Sequence, residues 1–141
     1  TNGTAELKDA ITAFEAALRV YTQNTMPVRW ADVMNRLGVV LMMLGEQVTA
    51  NVLLEQSVNA FRNALKVRRR DVAPLLWAQT ANNLGAATFA LAKRSGKKPL
   101  LNEASVCFEG AARVYREMNQ LKHALIIEKN LHRVQRLLEI G

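Results

Sequence analysis

Apolar residues recur along this chain at the three- and four-residue spacing of amphipathic α-helices. In the first such segment they include Leu7, Ile11, Phe14 and Leu18, which fall on one side of a helix with 3.6 residues per turn. Five more segments share the pattern, and short stretches rich in Pro, Gly or Asn separate them. We therefore predict six helices, at about 5–22, 28–44, 51–69, 73–92, 100–118 and 121–140.

Signals at the ends of these segments refine the prediction. Thr4 and Asp71 precede two of the helices and are candidate N-caps,. Gly45 follows the apolar run of the second helix and is a candidate left-handed C-cap,. No segment has the alternating pattern of a β-strand, so the predicted fold class is all-α, with residues 1–141 forming a single domain.

The helical pattern repeats at an interval of 47 residues. The clearest equivalent positions are Trp30 and Trp77, Gly38 and Gly85, and Phe14, Phe61 and Phe108. A fixed period of this size predicts a repeat array, in which each unit buries its apolar face on the next. Glycine inside a helix costs about 1 kcal/mol relative to alanine, so its recurrence indicates close helix packing. The short connections predict antiparallel neighbours, and thus an α-solenoid of helix pairs.

The two alternating helix types resemble those of the tetratricopeptide repeat. One type carries Leu-Gly, as at 37–38 and 84–85, and the other carries a small residue, Phe and Ala at Ser57, Phe61 and Ala64. The family's usual period is about 34 residues, so this chain has longer loops and helices and is similar to the long-repeat bacterial form. HEAT repeats, at about 40–47 residues, fit the period but explain these signatures poorly. The resemblance implies a superhelix that belongs to a longer array.

The same resemblance implies a concave groove, lined by the Leu-Gly helices, that binds a peptide or a segment of a partner protein. The positions equivalent to the groove residues of the family are Asp32, Asn35, Arg36, Val39, Gln79, Asn82, Asn83, Phe89, Lys129, Asn130, Arg133 and Arg136. Amide side chains can bind a peptide backbone through both donor and acceptor atoms. The arginines near the end favour an acidic segment or a C-terminal carboxylate.

The charge of the chain suggests a second kind of partner. Nine basic residues and one acidic residue lie between Arg62 and Lys98, which gives this segment +8 against +7 for the whole chain. Such a segment could contact nucleic acid or an anionic surface. However, its two basic clusters lie at opposite ends of the fourth helix, roughly 35 Å apart at 1.5 Å per residue. A solvated charged end is the simpler interpretation, and we disfavour a nucleic-acid partner.

The sequence offers little for catalysis or metal binding. It has no known catalytic motif, a single cysteine (Cys107), and two histidines, His123 and His132, that are nine residues apart,. Its acidic residues are scattered singly. We therefore predict a protein-interaction scaffold that is not an enzyme and has no cofactor. The cysteine content mildly favours a cytoplasmic location, and no apolar run approaches the roughly 18 residues of a membrane span.

Self-association is the remaining alternative. The first helix is of the second type and has no first-type partner before it in the sequence. Unless another element covers them, its Leu7, Ile11 and Phe14 would be exposed. This predicts a homo-oligomer formed through the end helices, and such an assembly module is the main functional alternative to a groove.

Overall fold

The computed structural model describes residues 3–140. These residues form six α-helices, with no strand among them, and this confirms the predicted all-α class. The helices are α1 (Thr4–Val20), α2 (Pro27–Gln47), α3 (Asn51–Leu65), α4 (Pro74–Ser95), α5 (Lys98–Glu117) and α6 (Leu121–Ile140). Proline occupies the first turn of α2, α4 and α5, where its missing N–H has no helical partner to lose.

Gly45 has a different role from the one predicted, and another glycine ends a helix. Gly45 lies inside α2 and is not its C-cap. A Cβ there would sit 3.2 Å from the side chain of Leu54, so the glycine allows close packing. Thr49, after the end of α2, has the positive φ of 54° instead. Gly96 is the left-handed C-cap of α4, with φ 68°. Helices α2 and α4 therefore extend three residues beyond their predicted ends, to 47 and 95.

Both predicted N-caps are wrong. Gly3 is the N-cap of α1, and Thr4 is its first helical residue. Ala73 is the N-cap of α4, whereas the carboxylate of Asp71 accepts hydrogen bonds from Arg69 at 2.7 and 3.2 Å. Thr4 lies within its helix and Asp71 binds an arginine, so neither side chain caps a helix. The actual N-cap residues, Gly3 and Ala73, make no side-chain hydrogen bond to the first turn.

Helices α1, α2 and α3 form one compact unit, which ends at Arg68. α2 is its central helix, because α1 and α3 each pack against it. The approach of α2 to α3 is closest at Gly38, where an added Cβ would lie 2.5 Å from the ring of Phe61. The Ser57 hydroxyl donates a hydrogen bond of 2.6 Å to the carbonyl oxygen of Gly38. Because the two helices approach so closely at Gly38, the Phe61 ring is completely buried between them.

Helices α4, α5 and α6 form a second compact unit, which begins at Arg69. Here α5 is central and packs against both α4 and α6. A Cβ at Gly85 would lie 2.8 Å from the ring of Phe108, and one at Gly110 would lie 2.9 Å from Trp77. The core joins Phe108 of α5 to Ile127 and Val134 of α6.

The α2–α3 and α4–α5 pairs are thus built around the same contact, a helix glycine under a buried phenylalanine ring. The two contacts are 47 positions apart in sequence. The sequence repeat therefore corresponds to a repeated helix pair in the structure.

The first helix departs from its repeat equivalents. α1 has no buried residue. Leu7, Ile11 and Phe14 are nevertheless half-buried, not exposed, and the last two pack with Leu18 against the apolar cluster of α2 and α3. The predicted exposure is therefore partial, because α2 covers one side of α1.

Candidate binding face on the last helix

The residues that the resemblance assigns to a groove lie on three helices. Four are in the first unit, on α2, and eight are in the second unit, on α4 and α6. Their positions are Asp32, Asn35, Arg36 and Val39 on α2; Gln79, Asn82, Asn83 and Phe89 on α4; and Lys129, Asn130, Arg133 and Arg136 on α6. Their environments differ sharply from helix to helix.

On α2, the predicted residues are mostly engaged within the unit. Asn35 is only 6% exposed, and Val39 is half-buried. The Asp32 carboxylate pairs with Arg36 at 3.1 Å and with the buried Arg68 at 3.2 Å. Burial lowers the pKa of the Arg68 guanidinium, and the Asp32 charge opposes that shift. The Asp32–Arg68 ion pair joins α2 to the end of the first unit, and all three charged groups take part in ion pairs.

On α4, the predicted residues are divided between core and surface. Phe89 is 8% exposed and belongs to the core of its unit, and the Lys93 ammonium lies 4.5 Å from its ring centroid. The Oδ1 atom of Asn82 is buried and accepts no hydrogen bond from residues 3–140. Gln79 is exposed and Asn83 is half-buried, and each already interacts with another group. These residues do not form one open surface.

On α6, three cationic residues lie together on one side of the helix. Lys129, Arg133 and Arg136 are separated by four and three residues, which places them on one helical face. All three are exposed, and none pairs with a carboxylate of residues 3–140. We call these three residues the cationic face. It extends about 10 Å along the helix at 1.5 Å per residue.

Three further residues border the cationic face. Asn130, predicted from the sequence, is half-buried beside it. Ile126 and His132 line the same open depression but were not among the predicted residues. Only helical spacing could have indicated such a residue from the sequence: Ile126 precedes Lys129 by three residues, which makes the two neighbours on a helix surface. The depression therefore offers one apolar and several polar contacts beside the positive charge.

Neither of the two acidic residues of α6 forms an ion pair with this face. Glu139 lies three residues after Arg136 but does not pair with it. Glu128 accepts two hydrogen bonds from Arg116 of α5, at 2.6 and 2.7 Å. These bonds lower the pKa of the Glu128 carboxyl and raise that of Arg116. From position 69 onward the chain has twelve basic and six acidic residues, a net charge of +6. Like charges one turn apart repel by about 0.2–0.5 kcal/mol per pair, and an anionic partner would relieve that repulsion.

The basic middle segment is less available than its composition suggests. Of its three consecutive arginines, the first is buried against α2, as described above. Arg69 pairs with Asp71 at 2.7 Å. Arg70 lies over the Trp77 ring, 5.2 Å from its centroid, and 3.7 Å from the Glu117 carboxylate. Each arginine therefore has a partner in its own unit, and these three do not form a free phosphate-binding patch.

The groups that most often carry chemistry are dispersed. Cys107 is half-buried beside Gly85. His123 stacks on Tyr115 with ring centroids 5.0 Å apart, and burial raises the pKa of the tyrosine hydroxyl. Over residues 3–140, no three His, Cys, Asp or Glu side chains are grouped so that they could hold a metal ion. Within the same range, no helix combines the length and apolar character of a membrane crossing.

Comparison of the chain with protein-family models, with curated proteins and with solved structures finds no match. The tetratricopeptide resemblance therefore depends on the residues of this chain alone.

Proposed function

We propose that this chain is a non-catalytic scaffold of the tetratricopeptide type, which binds an acidic segment of a partner protein along the cationic face of α6. The observation that carries the proposal is that Lys129, Arg133 and Arg136 are exposed, aligned and not ion-paired with any carboxylate of residues 3–140. The repeated glycine–phenylalanine contact in the α2–α3 and α4–α5 pairs supports the α-solenoid that the resemblance implies.

The spacing of the cations fits an extended acidic chain. A peptide in the polyproline II conformation has three residues per turn and advances about 3.1 Å per residue, so carboxylates three positions apart lie on one side of it and are separated by about 9 Å. This is close to the length of the cationic face. The planar guanidinium groups of Arg133 and Arg136 can each bind a carboxylate through two hydrogen bonds. Lys129 adds a point charge at the other end, and the Asn130 amide can bind the peptide backbone.

A direct test uses a fluorescein-labelled nonapeptide that carries Glu at every third position, with a matched peptide in which Gln replaces Glu. When each labelled peptide is titrated with the full chain, the fluorescence anisotropy of the Glu peptide should rise to saturation, and that of the Gln peptide should not. Exposed ion pairs contribute about 0.2–1 kcal/mol each, so neutralising two of them in R133Q/R136Q should weaken binding roughly 2- to 30-fold.

The matched control is Arg113→Gln, which removes one charge from an exposed residue of α5 in the same unit. This variant should bind the Glu peptide as the unmodified chain does. Equal binding by R133Q/R136Q would contradict the proposal. A labelled oligothymidylate that bound more tightly than the peptide, through the same residues, would replace it with a nucleic-acid site.

A further inference from the structure

The first unit has a groove between α1 and α3. Both of these helices pack against α2, which forms the floor between them. The buried Leu37 and Leu41 of α2 contribute to this floor, and the half-buried Met34 lies beside them. The groove has a volume of about 310 Å³, at the lower end of the range of about 300–1,000 Å³ for ligand-binding clefts. Its floor suits apolar side chains of a ligand.

The α3 wall of the groove carries a row of amide side chains. Gln56, Asn59 and Asn63 line it, and their spacing of three and four residues places them on one side of the helix. Gln56 and Asn59 are exposed, and Asn63 is half-buried. None of these three side chains forms a hydrogen bond with residues 3–140. Each amide can therefore offer both a donor and an acceptor to a ligand.

The amide row is not a feature of the sequence repeat. The positions 47 residues later, on α5, are Glu103, Val106 and Gly110. The packing residue Phe61, by contrast, recurs as Phe108 with the same glycine contact. The repeated helix pair therefore forms without the amides, and their presence along the groove has no explanation in the packing of α3 on α2.

The opposite wall of the groove carries a single charge. Glu15 of α1 lines this wall and is exposed, and it forms no ion pair with residues 3–140. No cationic side chain among residues 3–140 lines the groove, although the whole chain has a net charge of +7. The groove therefore attracts a cationic group and disfavours a phosphate or a carboxylate.

These features together favour a peptide in an extended conformation over other ligands. The backbone N–H and C=O groups of a helical partner are already bonded to each other, so they could not satisfy the amides. An acyl chain would cover the amides without hydrogen bonds, which is unfavourable. An extended peptide exposes backbone donors and acceptors along its edges, while its side chains point alternately to opposite faces. One set of side chains can then face the apolar floor and the other set the solvent.

The spacing of the amides also fits an extended backbone. Asn59 and Asn63 are four positions apart, or about 6 Å along the helix at 1.5 Å per residue. On one edge of an extended chain, equivalent backbone groups recur every two residues, or about 6.6 Å at 3.3 Å per residue. Two successive backbone groups on one edge can therefore bind these two asparagines.

We propose that this groove binds an extended segment of another protein, with apolar side chains on the α2 floor, its backbone against the α3 amides, and a lysine or arginine facing Glu15. The groove lies in the first unit, whereas the cationic face of α6 lies in the second. The two sites also select opposite charges, so each proposal can be tested without the other.

The probe is a fluorescein-labelled nonapeptide with blocked ends, which alternates Ser with Val and carries Lys in place of the central Ser. Its anisotropy should rise to saturation on titration with the full chain. The N59A/N63A protein lacks two hydrogen bonds to the peptide, so its affinity should be roughly 5- to 150-fold lower. Alanine has a higher helix propensity than asparagine, so circular dichroism of this variant should show unchanged helix content.

Three comparisons locate the binding site. Asn51→Ala removes an exposed amide from the same helix outside the groove, and should bind the peptide as the unmodified chain does. R133Q/R136Q should also bind it normally, because those arginines belong to the cationic face. Glu15→Gln should weaken binding of the Lys peptide by about 1.4- to 5-fold, and should not change the affinity for a peptide with Gln in place of Lys.

Two results would overturn the inference. The first is an anisotropy that does not saturate, or equal affinities for N59A/N63A and the unmodified chain, because the amide row would then bind no peptide. The second is displacement of the peptide by palmitate with a higher affinity than that of the peptide, which would make the groove an acyl-chain site. A loss of affinity confined to N59A/N63A and Glu15→Gln is the result that the inference expects.

Discussion

Replacing Gly38 with alanine has two opposing effects on the free energy of unfolding. Removing a glycine from a helix interior stabilises the helix by about 1 kcal/mol. The added Cβ, however, would lie 2.5, 2.7 and 2.8 Å from three atoms of the Phe61 ring. Carbon atoms normally meet at about 3.5–4.0 Å, so ring and helix must separate by about 1 Å. Phe61 is 0% exposed and has no solvent-facing position to adopt.

Over-packing a filled core costs about 1–3 kcal/mol. Offset by the gain in helix propensity, the net loss for Gly38→Ala is about 0–2 kcal/mol. The sign distinguishes the two effects, since helix propensity alone predicts a more stable protein. Gly85→Ala meets Phe108 at 2.8 Å and should behave in the same way.

Urea unfolding followed by circular dichroism at 222 nm measures this change. A double-mutant cycle with Phe61→Leu isolates the contact: the smaller side chain leaves room for the Cβ, so the double variant should be less destabilised than the sum of the two single changes. Coupling between touching residues is typically about 0.5–3 kcal/mol. A Gly38→Ala protein stabilised by about 1 kcal/mol, with additive behaviour in the cycle, would refute the proposed close packing.

Three other changes test separate parts of the structure. Asp32→Asn should lower the free energy of unfolding by about 1–3 kcal/mol, because it leaves the buried Arg68 guanidinium without its carboxylate; a urea midpoint equal to that of the unmodified chain would contradict this. Gly96→Ala should cost about 1–2 kcal/mol through its positive φ alone, since no atom lies within 4 Å of the added Cβ; a thermal melt that is unchanged would show that the left-handed cap is not required. Because Arg116 lowers the folded-state pKa of Glu128, their pair stabilises the fold above the ordinary glutamate pKa of about 4.3, and this contribution disappears as the pH falls through the lowered value. The difference in urea midpoint between the unmodified chain and Glu128→Gln should therefore shrink from pH 7 towards acid, and a difference independent of pH would oppose this reasoning.

The helices themselves were predictable because their apolar spacing is regular, and all six occur where the sequence places them. Their ends were less so. Gly45 has the composition signal of a cap, yet α2 continues to Gln47, and the glycine instead leaves space for the Leu54 side chain. Asp71 has the signal of an N-cap, but a neighbouring arginine competes for its carboxylate. The residue at which a helix begins or ends therefore depends on tertiary contacts that the local sequence does not specify.

The candidate site was predictable in the same uneven way. The cations of α6 could be read from their spacing, since helical periodicity alone puts them on one face. The burial of Asn35 and Phe89 could not, because a repeat register gives equivalent positions but not which neighbouring helix they meet. The Arg116–Glu128 pair joins residues twelve positions apart on different helices, and no helical spacing predicts it.

The central claim, that the cationic face of α6 binds an acidic segment, is most directly tested by mapping where that segment lies. Titration of the ¹⁵N-labelled chain with the Glu nonapeptide should shift the amide resonances of Lys129, Arg133 and Arg136 and of their neighbours on α6, while α1 to α3 remain unchanged. Shifts concentrated on another helix, or none at saturating peptide, would contradict the account.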